Sequence, residues 1–189
     1  MALTALDPKT ALVIIDLQHG IVAFPTAHPV EGVIAHSVAL LDAFRVRGLP
    51  VVLVNVAGGA PGRADQSRAM GDLPPNWAEL IPQLNQQPSD HCVTKKTWGA
   101  FAGTDLHAHL QGLGVTQIVL AGVATSIGVE STARCAHELG YNITLALDAM
   151  TDMNAMAHDN SVQRIFPRLG ESGTAHQVIE LLNRSSTGS

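Results

Sequence analysis

Runs of consecutive apolar residues occur at TALVIID (10–16), PVVLVNV (50–56), TQIVLAG (116–122) and NITLALD (142–148), with a weaker one, HCVTKK, at 91–96. They are short and rich in Val and Ile, and they lack the polar alternation of a half-wet sheet, so they predict strands buried on both faces. Between them Ala, Leu, Val and Ile recur at helical spacing over about 30–47, 105–113, 126–140 and 154–166, and Gly48, Gly114 and Gly140 close the first three. This alternation predicts a three-layer α/β/α architecture, a mainly parallel, Rossmann-like sheet of about six strands joined by right-handed crossovers. Segment 57–90 breaks the rhythm. It mixes Gly and Pro without sustained periodicity and exceeds an ordinary connection, which suggests a substrate-covering loop. Residues 1–182 are expected to form one domain, and the small polar tail NRSSTGS (183–189) to be flexible.

Composition narrows the function classes. The 189 residues are 46% hydrophobic, enough for one well-buried core. The net charge is −5 and the 11 Lys and Arg residues are scattered, so no basic stripe is available for nucleic acid or an anionic membrane surface. The only cysteines, Cys92 and Cys135, have no metal-site or disulfide spacing, which fits a reducing compartment. With no leader-like start and no run of spanning length, a cytoplasmic location is expected.

Candidate chemistry follows from the architecture, because open parallel sheets bind ligands beyond the carboxyl ends of their strands, where strand order reverses. Asp16 and Gln18 close the first run, Lys95 and Lys96 the run at 91–96, and Thr125 to Gly128 follow the run at 116–122. An Asp at a strand end can simply cap a turn. Beside a lysine in a pocket floor it can hold and deliver a proton, since burial and the lysine charge move its pKa in opposite directions. Spacing alone does not choose between Lys95 and Lys96. The free amides that open the helix at 125–128 could receive an anion or a developing oxyanion, and Gly128 would permit close approach, although a glycine there also suits tight strand–helix packing. Trp98 and Phe101 are either core or the wall of an apolar pocket. Cys135, on the face shared by Ala136 and Leu139, reads as a buried inert thiol, and Cys92 within a strand likewise. The first strand runs into DLQHG rather than GxGxxG, so no dinucleotide cofactor is expected. The nine histidines show no HExxH, and His107 and His109 point to different sides of a helix, so no metal is expected.

Taken together, ALVIIDLQ (11–18), TKKTWGAFAGTDL (94–106), VLAGVATSIGVESTARCAHELGY (119–141) and LALDAM (145–150) resemble the isochorismatase-like hydrolase superfamily over nearly the whole chain. The resemblance implies a site built on an Asp–Lys–Cys triad. Its first two members fall on Asp16 and on Lys95, six residues before Phe101. The family's GVxTxxCV motif matches Gly122 to Val129, which puts Gly128 at the place of the nucleophilic cysteine. It also implies a cis peptide at Val123–Ala124 and a substrate surface including Gln18, Trp98, Phe101, Ala124, Thr125 and Ile127.

Glycine at this place resembles both the true isochorismatases, which hydrolyse a vinyl ether without a covalent intermediate, and a bacterial branch, the YecD type, whose IGVESTAR stretch and NNS…I(Y/F)PR ending match 127–134 and 158–168. The chain has NVAGGAPG (55–62) where true isochorismatases carry a QPG-type segment, and it lacks the Asp/His metal cluster of nicotinamidases. The implied function is cofactor-independent hydrolysis of a small carboxylated or carbonyl-bearing molecule through Asp16, Lys95 and the turn at Gly128. In one version Asp16 protonates a vinyl-ether carbon; in the other it activates water for attack on an amide or ester. The rival is a catalytically silent binding or scaffold protein that keeps the fold. A homo-oligomer, most simply a dimer, is expected from the resemblance and from the apolar face of helix 126–140.

Overall fold

The computed structural model describes residues 3–65 and 73–184. Six parallel strands form one sheet in the order β3-β2-β1-β4-β5-β6: β1 (Thr10–Ile15), β2 (Val51–Val56), β3 (His91–Lys95), β4 (Gln117–Val123), β5 (Asn142–Thr151) and β6 (Glu171–Gly173). The two central strands, β1 and β4, are buried along their whole length, as their unbroken apolar runs require.

Alternate residues of β1 feed two cores. Ala11, Val13 and Ile15 join Leu106, Leu110, Ala133 and Ala136 on the face covered by α3 (Leu106–Gly112) and α4 (Glu130–Glu138). Leu12 and Ile14 join Leu40, Leu41, Phe44, Val178 and Leu182 on the face covered by α2 (Val30–Val46) and α6 (Ala175–Arg184). The result is the expected α/β/α layering, with each fully buried aliphatic side chain contributing about 1.5–3 kcal/mol. A short α1 (His19–Val22) follows β1, and α5 (Ala155–Asn160) follows β5.

Several boundaries differ from those expected. Helix 126–140 does not begin as an α-helix: Thr125–Val129 form a π-helical turn and only Glu130–Glu138 are α-helical. Region 154–166 likewise divides into α5, a π turn (Ser161–Ile165) and a 3₁₀ turn (Phe166–Arg168). The last strand and last helix had no counterpart in the apolar pattern, because β6 is three residues long and α6 is amphipathic rather than continuously apolar. Asn183 and Arg184 belong to α6, so the tail begins later than expected, and 185–189 lie outside the described residues. Within 57–90, residues 66–72 are also outside them; the remainder carries a 3₁₀ turn (Pro82–Leu84) and a bridge from Leu80 to Gln18. Among the described residues no helix is long and apolar enough to cross a membrane.

The chain leaves β1 toward β2 and β3, then crosses back to place β4 on the other side of β1. Strand order reverses between β1 and β4, the place beyond whose carboxyl ends open sheets of this kind bind ligands, and Asp16 and the turn after Val123 stand there.

Candidate active site

Asp16 immediately follows β1 and turns the chain with φ +51°, a left-handed conformation that Asp tolerates better than most residues. Its N–H donates to the Val54 carbonyl and its own carbonyl accepts from Gln18 N–H, both at 2.9 Å. Lys95 ends β3, two strands away. At about 4.8 Å per strand the separation is about 10 Å, a span that the four-carbon lysine stem helps to cross. Lys95 Nζ donates to Asp16 Oδ2 at 2.7 Å and to the Thr97 carbonyl at 3.2 Å. Both residues are buried, Asp16 to 4% and Lys95 to 2% exposure.

Burial raises the Asp16 pKa and the charge and hydrogen bond of Lys95 lower it; burial prevails, and the carboxyl is pushed up to about 6. Its second oxygen, Oδ1, is buried without a hydrogen-bond partner. An acid that titrates near neutrality, with one oxygen anchored and the other uncommitted, suits proton transfer.

The turn after β4 faces this carboxylate. The Val123–Ala124 peptide is cis. Gly122 has φ +117°, and a Cβ there would overlap the Ile15 carbonyl oxygen, so β1 and β4 meet at a point that only glycine allows. At Gly128 a Cβ would lie 2.8 Å from Ile15 Cγ2, 3.4 Å from Asp16 Oδ2 and 3.6 Å from the Trp98 carbonyl oxygen. The position where the resemblance places the family cysteine therefore borders Asp16, and Ile15 Cγ2 stands where a Cβ there would need room. Thr132 Oγ1 donates to the Gly128 carbonyl at 2.7 Å and accepts from Ala100 N–H at 3.0 Å, which ties the turn to segment 97–100.

Only part of the expected anion cradle is open. Ser126 donates both its N–H and its hydroxyl to Asp152 Oδ2, each at 2.7 Å, and Ile127 N–H donates to the Ala124 carbonyl at 3.2 Å. Among the described residues the amides of Thr125 and Gly128 have no acceptor outside the turn, and these would be the ones left for a ligand. Asp152 is 2% exposed and its Oδ1 also accepts from Asn154 N–H at 3.0 Å. Thr125 is fully buried, with Oγ1 2.9 Å from His158 Nδ1. His158 is itself buried, and burial together with the neighbouring His28 lowers its pKa, which favours the neutral ring.

The remaining expected residues separate. Gln18 is fully buried, and its amide is consumed: Nε2 donates to the Val56 and Trp77 carbonyls at 3.0 and 3.1 Å, and Oε1 accepts from Val56 N–H at 2.7 Å. It is a strut between β1, β2 and the 77–80 segment rather than a side chain open to substrate. Phe101 is also withdrawn: it is 8% exposed and packs in the α3/α4 core, its ring centroid 6.0 Å from that of Tyr141. Trp98 is 63% and Ile127 38% exposed, whereas Ala124 is buried at the cis bond. Cys135 is half-buried and its thiol is pushed up by burial and by Glu138, while Leu139 on the same helix end is exposed. Cys92 is exposed on the edge strand, against the buried position expected. His107 and His109 do take different partners, the Tyr141 hydroxyl and the His91 ring.

The sequence reading missed Asp152 and His158. The rule that selected Asp16, an acid at the carboxyl end of a strand, also selects Asp152 once β5 is extended to Thr151. His158 had no comparable signal, since its partner Thr125 lies 33 residues away. Among the described residues no group of three or more His, Cys, Asp or Glu side chains is placed to hold a metal ion.

Comparison with known proteins bears on the family and the fold. Residues 10–177 match the model of the isochorismatase domain. The chain is 42% identical over 179 residues to the uncharacterized isochorismatase family protein YwoC of Bacillus subtilis, covering 91% of this chain and 93% of that protein. It is 40% identical over 181 residues to the uncharacterized isochorismatase family protein YecD of Escherichia coli O157:H7, covering 92% and 96%. A solved structure of an isochorismatase family protein from Burkholderia thailandensis superposes with a TM-score of 0.90 at 42% identity, covering 95% of this chain and 98% of that one. With the domain model matched over residues 10–177 and relatives about 40% identical over nearly the whole length, the chain belongs to the isochorismatase family.

Proposed function

We propose that this protein hydrolyses a small carboxylated or carbonyl-bearing molecule without a covalent cysteine intermediate, with Asp16 as the proton-transfer group. The observation that carries the reading is the state of Asp16: buried, anchored through Oδ2 to Lys95, with Oδ1 uncommitted and a pKa of about 6. Above that pH the carboxylate can take a proton from a water molecule as the water attacks an amide or ester carbonyl. Lys95 holds the carboxylate in place and offsets its charge, and the Thr125 and Gly128 amides receive the oxyanion. Gly128 leaves no thiol where the resemblance places the family cysteine, and the Thr125 and Ser126 hydroxyls are engaged by His158 and Asp152, so water is the attacking group.

The raised pKa also supports a second version, in which the protonated carboxyl donates to the carbon of a vinyl ether and water captures the cation. The two versions differ in the direction of their pH dependence. Purified protein screened against amides, esters and vinyl ethers tests the function, with Asp16→Asn as control. General acid–base catalysis is worth about 10²–10⁴-fold, and a loss of that size with the fold intact is expected. Saturable binding without turnover across the panel would make the protein a silent binder instead.

A further inference from the structure

The segment that follows β5 grips the turn after β4 at both of its ends. Thr125 opens the turn with a fully buried hydroxyl, and among the described residues its one hydrogen-bond partner is His158 Nδ1, at 2.9 Å. Glu130 follows the turn and accepts from the Ser161 hydroxyl at 2.6 Å. Between these points Thr125–Val129 form a π turn, with Val129 N–H donating to the Ala124 carbonyl at 3.1 Å; such turns are rare and are found frequently at functional sites. His158 is itself fixed in place. Its ring centroid lies 4.6 Å from that of His28, which meets the buried Thr151 hydroxyl through its N–H at 3.2 Å and its Nδ1 at 3.0 Å. Without the His158 ring the Thr125 hydroxyl would be buried and unpaired, a state relieved only by moving the turn toward water. The turn is also a wall of the Asp16 site: a Cβ at Gly128 would lie 3.4 Å from Asp16 Oδ2. What fixes Thr125 therefore bears on how dry Asp16 stays.

We propose that His158 is a positioning residue: through the Thr125 hydroxyl it holds the turn against Asp16 and keeps that carboxyl shielded from water, without touching substrate. The inference rests on the hydrolase reading for the use made of the carboxyl. Burial is the largest influence on Asp16 and outweighs the opposing charge of Lys95, so a turn that swings away should let the carboxyl ionise more easily. The His158 ring favours its neutral form, because burial and His28 outweigh Asp159 and Asp152; His36 and Asp148 line the cavity it shares with His28. A neutral ring can serve the Thr125 hydroxyl through Nδ1 as acceptor or donor.

Carbon-13 NMR titration of the Asp16 carboxyl in the full chain, with no substrate present, reads this shielding. In His158→Leu the Asp16 pKa should fall toward its ordinary value of 3.8 by about one unit, a tenfold weaker hold on the proton. Simple loss of an imidazolium charge would move it upward instead, so the sign separates positioning from electrostatics. His158→Asn, whose side-chain amide reaches the place of Nδ1, should restore the wild-type titration. Thr125→Val removes the hydroxyl with little change of shape and none of charge; it should reproduce the fall, and it decides the matter alone if the His158 variants do not fold. An Asp16 titration unchanged in His158→Leu or in Thr125→Val, an upward shift in either, or the same fall in His158→Asn as in the leucine variant would each overturn the proposal. A barren substrate screen would instead remove the hydrolase reading and leave the positioning role standing, because the titration is made on the free protein.

Discussion

Replacing Gly128 by alanine should destabilise the protein, although the usual effect of the change has the opposite sign. Gly128 does not have a positive φ, so its backbone angles suit any residue. Under those conditions Gly→Ala commonly stabilises by about 0.4–1 kcal/mol through the unfolded chain. Here the new Cβ would stand 2.8 Å from Ile15 Cγ2, a contact that real Cβ atoms essentially never show. Ile15 is fully buried and its branched methyl has no exit to solvent. Overpacking of this kind costs about 1–3 kcal/mol, which leaves a net loss of about 1 kcal/mol. Urea unfolding of the wild type and Gly128→Ala measures it. Repeating the change in an Ile15→Ala background, where Cγ2 is gone, should restore the stabilising sign and give a coupling of about 1–3 kcal/mol. A Gly128→Ala protein more stable than wild type, with no coupling to Ile15, would refute the reasoning. The consequence for chemistry is direct. Because the same Cβ would lie 3.4 Å from Asp16 Oδ2, Gly128→Cys would crowd the Asp16 carboxyl rather than refill a vacancy, and it should not raise the native activity. A stable acyl adduct on Cys at 128, seen by mass spectrometry, would show that the site still accepts a thiol.

Other expected outcomes follow from the same contacts. If Asp16 acts as base, kcat/KM should rise with pH through about 6, and if it acts as acid it should fall there; a profile flat between pH 5 and 8 would remove Asp16 from the proton transfer. Because the folded pKa of Asp16 lies above its ordinary value of 3.8, the folded state binds the extra proton between those values and stability should fall as pH rises from about 4 to 6. Asp16→Asn should remove that loss of unfolding free energy, on the order of 3 kcal/mol, as read by urea unfolding at pH 4 and pH 7. Gln18→Ala strands the Val56 amide and should cost about 2–3 kcal/mol in urea unfolding, with KM unchanged in the protein that remains folded; a raised KM at unchanged stability would return Gln18 to the substrate surface. Ile127, Leu139, Met153 and Met156 are exposed, and a homo-oligomer that covers such residues should appear as at least twice the 19.8 kDa chain mass by light scattering at micromolar concentration; a strictly monomeric mass would contradict it.

The apolar runs determined the layers without help from tertiary structure, because a strand buried on both faces must be apolar at every position, as β1 and β4 are. The buried Asp16–Lys95 ion pair was also legible: both residues stand at strand ends, and resemblance selected Lys95 over Lys96. The structure makes the same choice, since Lys95 shares the inward face of Val93 and is buried while Lys96 is exposed. Three features belong to the tertiary structure alone. Gln18 has the sequence signature of a ligand-facing polar residue, yet pairing with Val56 and Trp77 consumes it. Asp152 answers the N–H and hydroxyl of Ser126, 26 residues earlier in the chain. The meaning of Gly128 depends on a methyl group of the neighbouring strand. In each case the deciding partner is distant in sequence, and a one-dimensional pattern records which groups a residue carries but not which of them a distant segment has already engaged.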